Sequence, residues 1–408
     1  MRHQPTLSRR SSGTLNKGAA PTPYAQPAST SPLRIEGELW TSRQRQASSL
    51  HEISYRACFK PQLPRYFIER YTRPGDTVYD PFMGRGTTVI EAALLGRNVA
   101  GNDVNPLSRI LTQPRLEVPG VEDVARRLDG IAFSHGSKAK IDLSMFYHPA
   151  TEAEIISLRR YLAQRRRTSK EDELDRWIRM VATNRLTGHS VGFFSVYTLP
   201  PNQATLPENQ KRINRLRRQK PEYRDVKQII LKKTKTLLAR LSEEEKRHLF
   251  RAGTTAQFFS SDARGTKEIN PRSVQLTVTS PPFLNIVQYS NDNWLRCWFN
   301  EIDVEEISQK ITTPRSLEEW CDIMAGVFRE LHRITALGGY VAFEVGEVRK
   351  GSVRLEEFIL PIGSCVGFDC EGILINRQQF TKTANIWGVR NNSGGTNSNR
   401  IILFRKPR

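Results

Sequence analysis

The sequence predicts a doubly wound α/β fold with a mostly parallel sheet, interrupted by a largely helical insertion. Three observations carry this. Residues Thr77 to Asp80 read as a short buried strand that runs into Pro81-Phe82-Met83-Gly84-Arg85-Gly86-Thr87-Thr88 and then into an apolar helical stretch, Val89 to Leu95. A second strand, Asn98 to Gly101, leads to an acid, Asp103, about twenty residues past the glycine loop. Much later the apolar run Val274 to Val278 stops abruptly at Thr279-Ser280-Pro281-Pro282-Phe283. Strand, glycine turn, helix and strand in succession form the unit from which parallel α/β sheets are built.

Taken in order, residues 1–45 are rich in Ser, Pro, Gln and Arg with few apolar residues, and are expected to be a disordered basic arm. The arm lacks the continuous apolar core of a secretory signal, and its arginines and serines leave a transit peptide as the alternative. Residues 46–115 carry the glycine loop and form the first half of the sheet domain. Residues 116–254 form the insertion, with helices expected over Glu152 to Arg165, Glu171 to Leu186 and Asp225 to Leu241. Gly188 to Asn202 is a glycine, aromatic and proline stretch expected to be irregular. Residues 255–408 complete the sheet, with strands expected at Gly338 to Gly346 and Asn399 to Arg405.

The glycine loop and the proline motif each suggest chemistry. Gly84 and Gly86 let the backbone turn sharply and approach a ligand closely, and the N–H groups opening the next helix can receive a carboxylate or phosphate. An acid at the position of Asp103 suits ribose hydroxyls, so the half-site fits a nucleoside cofactor. In the second motif each proline fixes its φ and lacks an N–H, leaving the carbonyls of Ser280 and Pro281 as rigid acceptors. Acceptors beside an aromatic ring suit a flat ring that bears an amino group, which must leave its helix to be reached.

These residues resemble a known family. DPFMGRGTT is similar to the S-adenosylmethionine-binding motif DPFxGSGTT, and TSPPF to the catalytic SPPY/F motif, of the DNA amino-methyltransferases that modify cytosine N4 or adenine N6. The resemblance spans roughly residues 50–115 and 255–408, and implies a seven-stranded, Rossmann-like methyltransferase sheet. It places Asp80, Phe82, Gly84 and Gly86, with Pro81 and Thr87, around the methionine part of the cofactor, and Asp103 at its ribose. Asp262, in Phe259-Ser260-Ser261-Asp262-Ala263-Arg264, corresponds to an acid expected near the adenine amino group. His51 to Pro64 is similar to the segment that completes the methionine pocket. Arg85 departs from the family serine, and its cation either faces the expected carboxylate or points to solvent. The cofactor half precedes the SPP half here, whereas many family members have the reverse order. The same fold is expected from either.

Ser280, Pro281, Pro282 and Phe283 are thus the candidate catalytic residues. Attack of an amine on a sulfonium methyl is a direct displacement that needs alignment and charge stabilisation but no covalent nucleophile. Hydrogen bonds from the amine to Ser280 and the Pro281 carbonyl would expose the nitrogen lone pair while Phe283 stacks on the base. Methylation at cytosine C5 instead needs a thiolate, which in that family follows a proline. Cys58, Cys297, Cys321, Cys365 and Cys370 follow Ala57, Arg296, Trp320, Ser364 and Asp369, so C5 chemistry is not expected. Within the resembled family, serine before the two prolines is commoner in cytosine-N4 enzymes, and aspartate or asparagine in adenine-N6 enzymes. Ser280 therefore favours N4. An RNA or protein-glutamine methyltransferase, or a non-catalytic DNA-binding module of the same fold, are the other readings.

Charge agrees with a nucleic-acid partner. The chain has 62 Lys and Arg against 42 Asp and Glu, net +20, and a polyphosphate is the simplest counterpart. Lys211 to Arg251 alone holds fifteen basic and five acidic residues, with Arg215, Arg217, Arg218, Lys220 and Arg224 as candidate phosphate contacts. The insertion is the expected target-recognition region, where Asn184, Arg185 and His189 are candidates to approach bases. In Gln288 to Phe299, Trp294, Leu295 and Trp298 form an expected core face, while Tyr289 and Asn293 are candidates for the base pocket. Double-stranded DNA is the expected partner, and a cognate restriction endonuclease would accompany it in a restriction-modification pair. The five cysteines form no metal-ligand pattern and suggest small buried packing roles in a reducing compartment. No run reaches membrane-spanning length, so neither metal nor membrane is expected and the expected location is cytoplasmic.

Overall fold

The structure, a computed structural model, describes residues 32–37, 47–55, 58–199, 204–282, 289–311, 314–348, 353–377 and 398–408. Its strands are β1 (Arg34–Gly37), β2 (Thr77–Asp80), β3 (Asn98–Asn102), β4 (Gln257–Phe259), β5 (Val274–Thr279), β6 (Thr335–Val345), the short ribbon β7 (Glu347–Val348) and β8 (Val353–Arg354), β9 (Asp369–Arg377) and β10 (Ser398–Arg405). The helices are α1 (Gln62–Tyr71), α2 (Thr87–Leu94), α3 (Leu107–Thr112), α4 (Val121–Asp129), α5 (Pro149–Arg167), α6 (Glu173–Arg185), α7 (Pro207–Arg217), α8 (Val226–Leu238), α9 (Glu243–Thr255), α10 (Tyr289–Phe299), α11 (Val304–Lys310), α12 (Leu317–Ile334) and α13 (Glu356–Cys365).

Eight strands form the main sheet in the order β1-β9-β10-β6-β5-β2-β3-β4. From β4 to β6 all pairings are parallel, and β10 inserts antiparallel between β6 and β9. The chain runs outward through β2, β3 and β4, then returns to lay β5 on the other side of β2. The order thus reverses between β2 and β5, and a crevice opens beyond their carboxyl ends. Both motif loops leave from these two strands.

Alternation along the strands fills both faces. Leu276, Val278, Ala342, Ile401 and Leu403 belong to one buried cluster, and Val341, Phe343, Val345, Ile402 and Phe404 to the other. The insertion joins the first cluster through Val124, Leu158, Trp177, Val181, Ile230 and Leu249, so its helices share the core of the sheet. Its helix ends are built locally: Asp172 and Asp175 form a reciprocal capping box on α6, and Ser242 and Glu245 form another on α9. Asp175, fully buried, also pairs with Arg127 at 2.6 Å and Arg165 at 2.6 Å, which ties α4 and α5 to α6.

Several expectations shift. The sheet has eight strands rather than seven, because Arg34–Gly37, inside the expected disordered arm, pairs in parallel with β9 at the edge. Most of the arm, residues 1–31 and 38–45, lies outside the described residues. Edge strand β4 carries no sequence signal, since three residues are too few to show a period. The strand expected over Gly338 to Gly346 begins earlier, at Thr335. The stretch from Gly188 to Leu199 is irregular as expected, apart from one bridge between Gly188 and Tyr197, while 200–202 lie outside the described residues. Only Cys297 and Cys321 of the five cysteines are buried; Cys58 and Cys365 are exposed. Among the described residues no helix is long and apolar enough to cross a membrane, and no group of His, Cys, Asp or Glu could hold a metal.

Candidate active site

The glycine loop is held in shape from behind. Gly84 and Gly86 sit at φ +49° and +75°, the left-handed region that side chains disfavour. The Gly84 N–H donates to Asp103 Oδ2 at 2.9 Å, while Asp103 Oδ1 accepts from the Asn105 N–H at 2.9 Å. Burial raises the Asp103 carboxyl above its ordinary range, and these N–H groups oppose that shift. Asp103 keeps lone pairs to spare for a ligand hydroxyl.

Asp80 has a different role from the one expected. Its side chain is buried, and Oδ1 accepts from Thr279 Oγ1 at 2.7 Å and from the Phe82 N–H at 3.1 Å. Burial pushes its carboxyl up to about 7. The carboxylate therefore faces inward, joining the end of β2 to the end of β5 one residue before Ser280. Thr88 Oγ1 adds a bond to the Val278 carbonyl at 3.0 Å. The two half-sites are thus fixed to each other by side chains, not only by the sheet.

Asn102, which no sequence motif marks, performs a similar task. Its Nδ2 donates to the carbonyls of Pro81 at 3.2 Å and Ser261 at 2.9 Å, and its Oδ1 accepts from the Ser261 N–H at 3.0 Å. This fixes the segment that brings Asp262 to the cavity. Asp262 itself is exposed and bonds Arg264, whose guanidinium holds its carboxyl below the usual carboxylate range.

Arg85 neither faces a carboxylate nor points to solvent. Its Nη1 donates to the carbonyls of His51 at 3.1 Å and Ile53 at 2.8 Å. Arg115, fully buried, donates to the Leu50 carbonyl at 3.0 Å and to the Arg85 carbonyl, and burial lowers its pKa to about 9. His51 bonds Glu91 of α2 at 2.7 Å. The segment before α1 is thereby clamped against the loop and delivers Tyr55 to the cavity wall. Arg85→Ala is expected to lower the urea midpoint by an amount equivalent to about 1–3 kcal/mol, because two carbonyls lose their donor. An unchanged midpoint would show that the clamp contributes nothing.

One cavity gathers the rest. Tyr55, Phe82, Gly84, Asp103 and Asp262 line it together with Ser280 and Pro282. Ile323, Met324 and Val327 of α12 form an apolar wall that neither motif announces. Trp320, one turn earlier on α12, donates from Nε1 to the Pro282 carbonyl at 3.1 Å. Pro81, Gly86 and Thr87 do not line the cavity: Thr87 is buried and bonded to Arg85, and the Gly86 N–H bonds the Met83 carbonyl. Pro281 is buried and does not line the cavity. Phe283 lies outside the described residues.

Glu344 on β6 is the other group without a sequence signal. Buried, it accepts a hydrogen bond from Asn399, and burial pushes its carboxyl up to about 7. It is invisible in sequence because Ala342-Phe343-Glu344-Val345 reads as an ordinary strand end.

The basic candidates divide. Arg215, Arg217, Arg218 and Lys220 lie around the end of α7, largely open to solvent, with Arg217 over the Tyr197 ring at 3.9 Å. Arg224 is instead a brace, donating to the carbonyls of Ser190, Phe193 and Ser195. Asn184 and Arg185 are buried and cannot approach a base: Asn184 bonds the Ser54 carbonyl at 3.3 Å, and Arg185 lies over the Phe193 ring at 3.9 Å. His189 is exposed. Leu295 is buried in the core with Trp294 and Trp298 packed on it, whereas Asn293 accepts from Arg296 rather than lining the cavity. The Tyr289 side chain lies outside what is described.

Fold and cavity together define an open α/β protein with its ligand site at the topological switch point, where a glycine loop and a Pro-Pro motif converge. Residues 13–108 match the family model N6_N4_Mtase, described as DNA methylase. Type II methyltransferase M.MjaII of Methanocaldococcus jannaschii is 32% identical over 88 residues, 21% of this chain and 17% of that one. Type II methyltransferase M.BsoBI of Geobacillus stearothermophilus is 23% identical over 292 residues, 64% of this chain and 54% of that one. Over these stretches the chain is similar to DNA methylases. It spans 17% and 54% of the lengths of these two relatives. Among solved structures, the putative DNA modification methylase TTHA0409 of Thermus thermophilus, complexed with S-adenosyl-L-methionine, shares 23% identity over 36% of this chain and 54% of that one, with a TM-score of 0.23.

Proposed function

We propose that the chain transfers a methyl group from S-adenosylmethionine to the exocyclic N4 of a cytosine flipped out of double-stranded DNA. The observation that carries this reading is the single cavity in which Gly84, Asp103 and Asp262 of one half-site meet Ser280 and Pro282 of the other.

The residues suit the cofactor. Gly84 leaves room where a Cβ would stand 3.3 Å from the Tyr55 ring, so the loop backbone is open to a ligand. Asp103 offers acceptors to ribose hydroxyls, Asp262 an acceptor to an adenine amine, and Ile323, Met324 and Val327 an apolar face to the adenine ring. When bound, the cofactor supplies an electrophilic methyl on a sulfonium. Ser280 Oγ accepts a hydrogen bond from the target amine and orients its lone pair, while the Pro281 carbonyl is a second acceptor. Trp320 fixes the Pro282 carbonyl and so holds the mouth against the cofactor wall. The exposed cations at the end of α7 supply salt-sensitive attraction for phosphates.

Ser280, in the position where the resembled family carries serine more often in cytosine enzymes, favours N4 over adenine N6. Incubation with methyl-labelled cofactor and, separately, duplex DNA, RNA and a glutamine-bearing peptide tests the class of substrate. Label is expected on DNA; label confined to RNA or peptide would overturn the reading.

A further inference from the structure

We propose that the loop 188–199 is a preformed DNA probe, whose apolar tip at Val191 enters the groove beside the target base while the cations ending α7 hold the flanking phosphates. The inference rests on the function proposed above and concerns what that reading leaves open: how a duplex is seated over the cavity.

The loop is closed on itself at its base. Gly188 bridges Tyr197, and the Thr198 N–H donates to the Gly188 carbonyl at 3.0 Å. Phe193 folds back so closely that a Cβ on Gly188 would stand 2.4 Å from its ring, an approach that only glycine permits. Arg185 lies over the same ring at 3.9 Å, and the Phe194 N–H donates to the Arg185 carbonyl at 2.8 Å. Arg224 Nη1 donates to the carbonyls of Ser190 at 3.0 Å and Phe193 at 2.8 Å. Phe193 and Phe194 are buried, whereas Val191 is 78% exposed. A single exposed valine is unremarkable on its own. Here two arginines fix the backbone that carries it, so the tip is pre-organised and has little conformational entropy left to lose on binding.

Both ends of the loop are tied to the borders of the cavity. α6 ends at Arg185, three residues before Gly188, and Asn184 donates to the carbonyl of Ser54, the neighbour of the cavity-lining Tyr55. Past the loop, the Ala204 N–H donates to the Asp292 carbonyl at 3.0 Å, and the Thr205 carbonyl accepts from Trp294 Nε1 at 3.2 Å. Asp292 and Trp294 belong to α10, the next described helix after the Pro-Pro motif. The loop thus springs from between the segment that delivers Tyr55 and the helix that follows Ser280 and Pro282.

The end of α7 stands against the same loop. Gln210 and Gln219 both donate from Nε2 to the Tyr197 carbonyl, at 3.0 Å and 2.9 Å, and Arg217 lies over the Tyr197 ring. This sets the exposed Arg215, Arg217, Arg218 and Lys220 beside the base of the loop. A rigid apolar tip flanked by cations matches duplex DNA in both respects. The cations neutralise phosphates whatever the sequence, and the apolar group meets base edges, a thymine methyl among them, inside the groove. A closed loop suits the major groove, which at about 12 Å wide admits a two-stranded ribbon.

The test puts a photoreactive group at the tip. Val191→p-benzoylphenylalanine is expected to crosslink to a random-sequence duplex on illumination. Leu337→p-benzoylphenylalanine, exposed near the amino end of β6 and so away from the cavity, is expected to give no crosslink. Val191→Ser is expected to weaken duplex binding about 10-fold by fluorescence anisotropy, the scale of one buried valine side chain, with melting temperature and salt dependence unchanged. Arg215→Gln should instead lower the slope of log affinity against log salt by about 1. Crosslinking from position 337 but not 191, or duplex binding by Val191→Ser at wild-type strength, would overturn the probe. These readouts need no methyl transfer, so the two readings fail separately. DNA methylation by a protein that gives no crosslink from position 191 sinks the probe alone, and crosslinking from 191 with no methyl group transferred to DNA sinks the proposed function alone.

Discussion

Gly84→Val is expected to abolish measurable cofactor binding at concentrations that saturate the wild-type protein. Two costs combine. Gly84 holds φ +49°, where a residue with a Cβ costs roughly 1–2 kcal/mol and a β-branched one more. Its Cβ would also press on Tyr55, 3.3 Å away. If the loop relaxes to escape, the Gly84 N–H leaves Asp103 Oδ2 and the acid loses its orientation. A loss of about 100-fold or more in affinity, roughly 2.7 kcal/mol, follows. Calorimetric titration with S-adenosylmethionine checks it, and wild-type affinity would mean that the ligand does not approach this loop.

Ser280→Ala is expected to leave cofactor affinity intact while lowering the transfer rate about 100- to 1000-fold, the range seen when one preorganised polar contact to a reacting group is removed. Ser280 follows β5 whereas the glycine loop follows β2, and Asp80 and Thr279 continue to hold the strand ends together without it. The two variants thus separate the half-sites: one loses binding, the other loses chemistry. Equal loss of cofactor binding in both would place Ser280 in the cofactor pocket instead.

Much of this is legible in the sequence because strong local signals coincide with the site. The glycines at 84 and 86 mark backbone that only glycine adopts comfortably, and the two prolines mark the end of β5, so both loops can be located from residue type alone. Phe82, Gly84, Asp103, Asp262, Ser280 and Pro282 all line one cavity. The errors arise where residue type is silent about direction. Asp80 and Thr87 belong to the motif yet point behind the loop, because their partners, Thr279 and Arg85, are set by tertiary packing. Asn184, Arg185 and Arg224 look like solvent-facing recognition residues, but the fold turns them into braces for the 188–199 loop and its surroundings. Glu344, Asn102 and the α12 wall come from strands and a helix distant in sequence, with no spacing relative to either motif to betray them.

The central claim, that the two half-sites act together on an exocyclic amine, is tested most directly by digesting duplex DNA treated with the purified protein and S-adenosylmethionine to nucleosides and resolving them by mass spectrometry. N4-methylcytosine is the predicted product. N6-methyladenine in its place would correct the choice of base drawn from Ser280, and 5-methylcytosine or no methylated nucleoside at all would contradict the account.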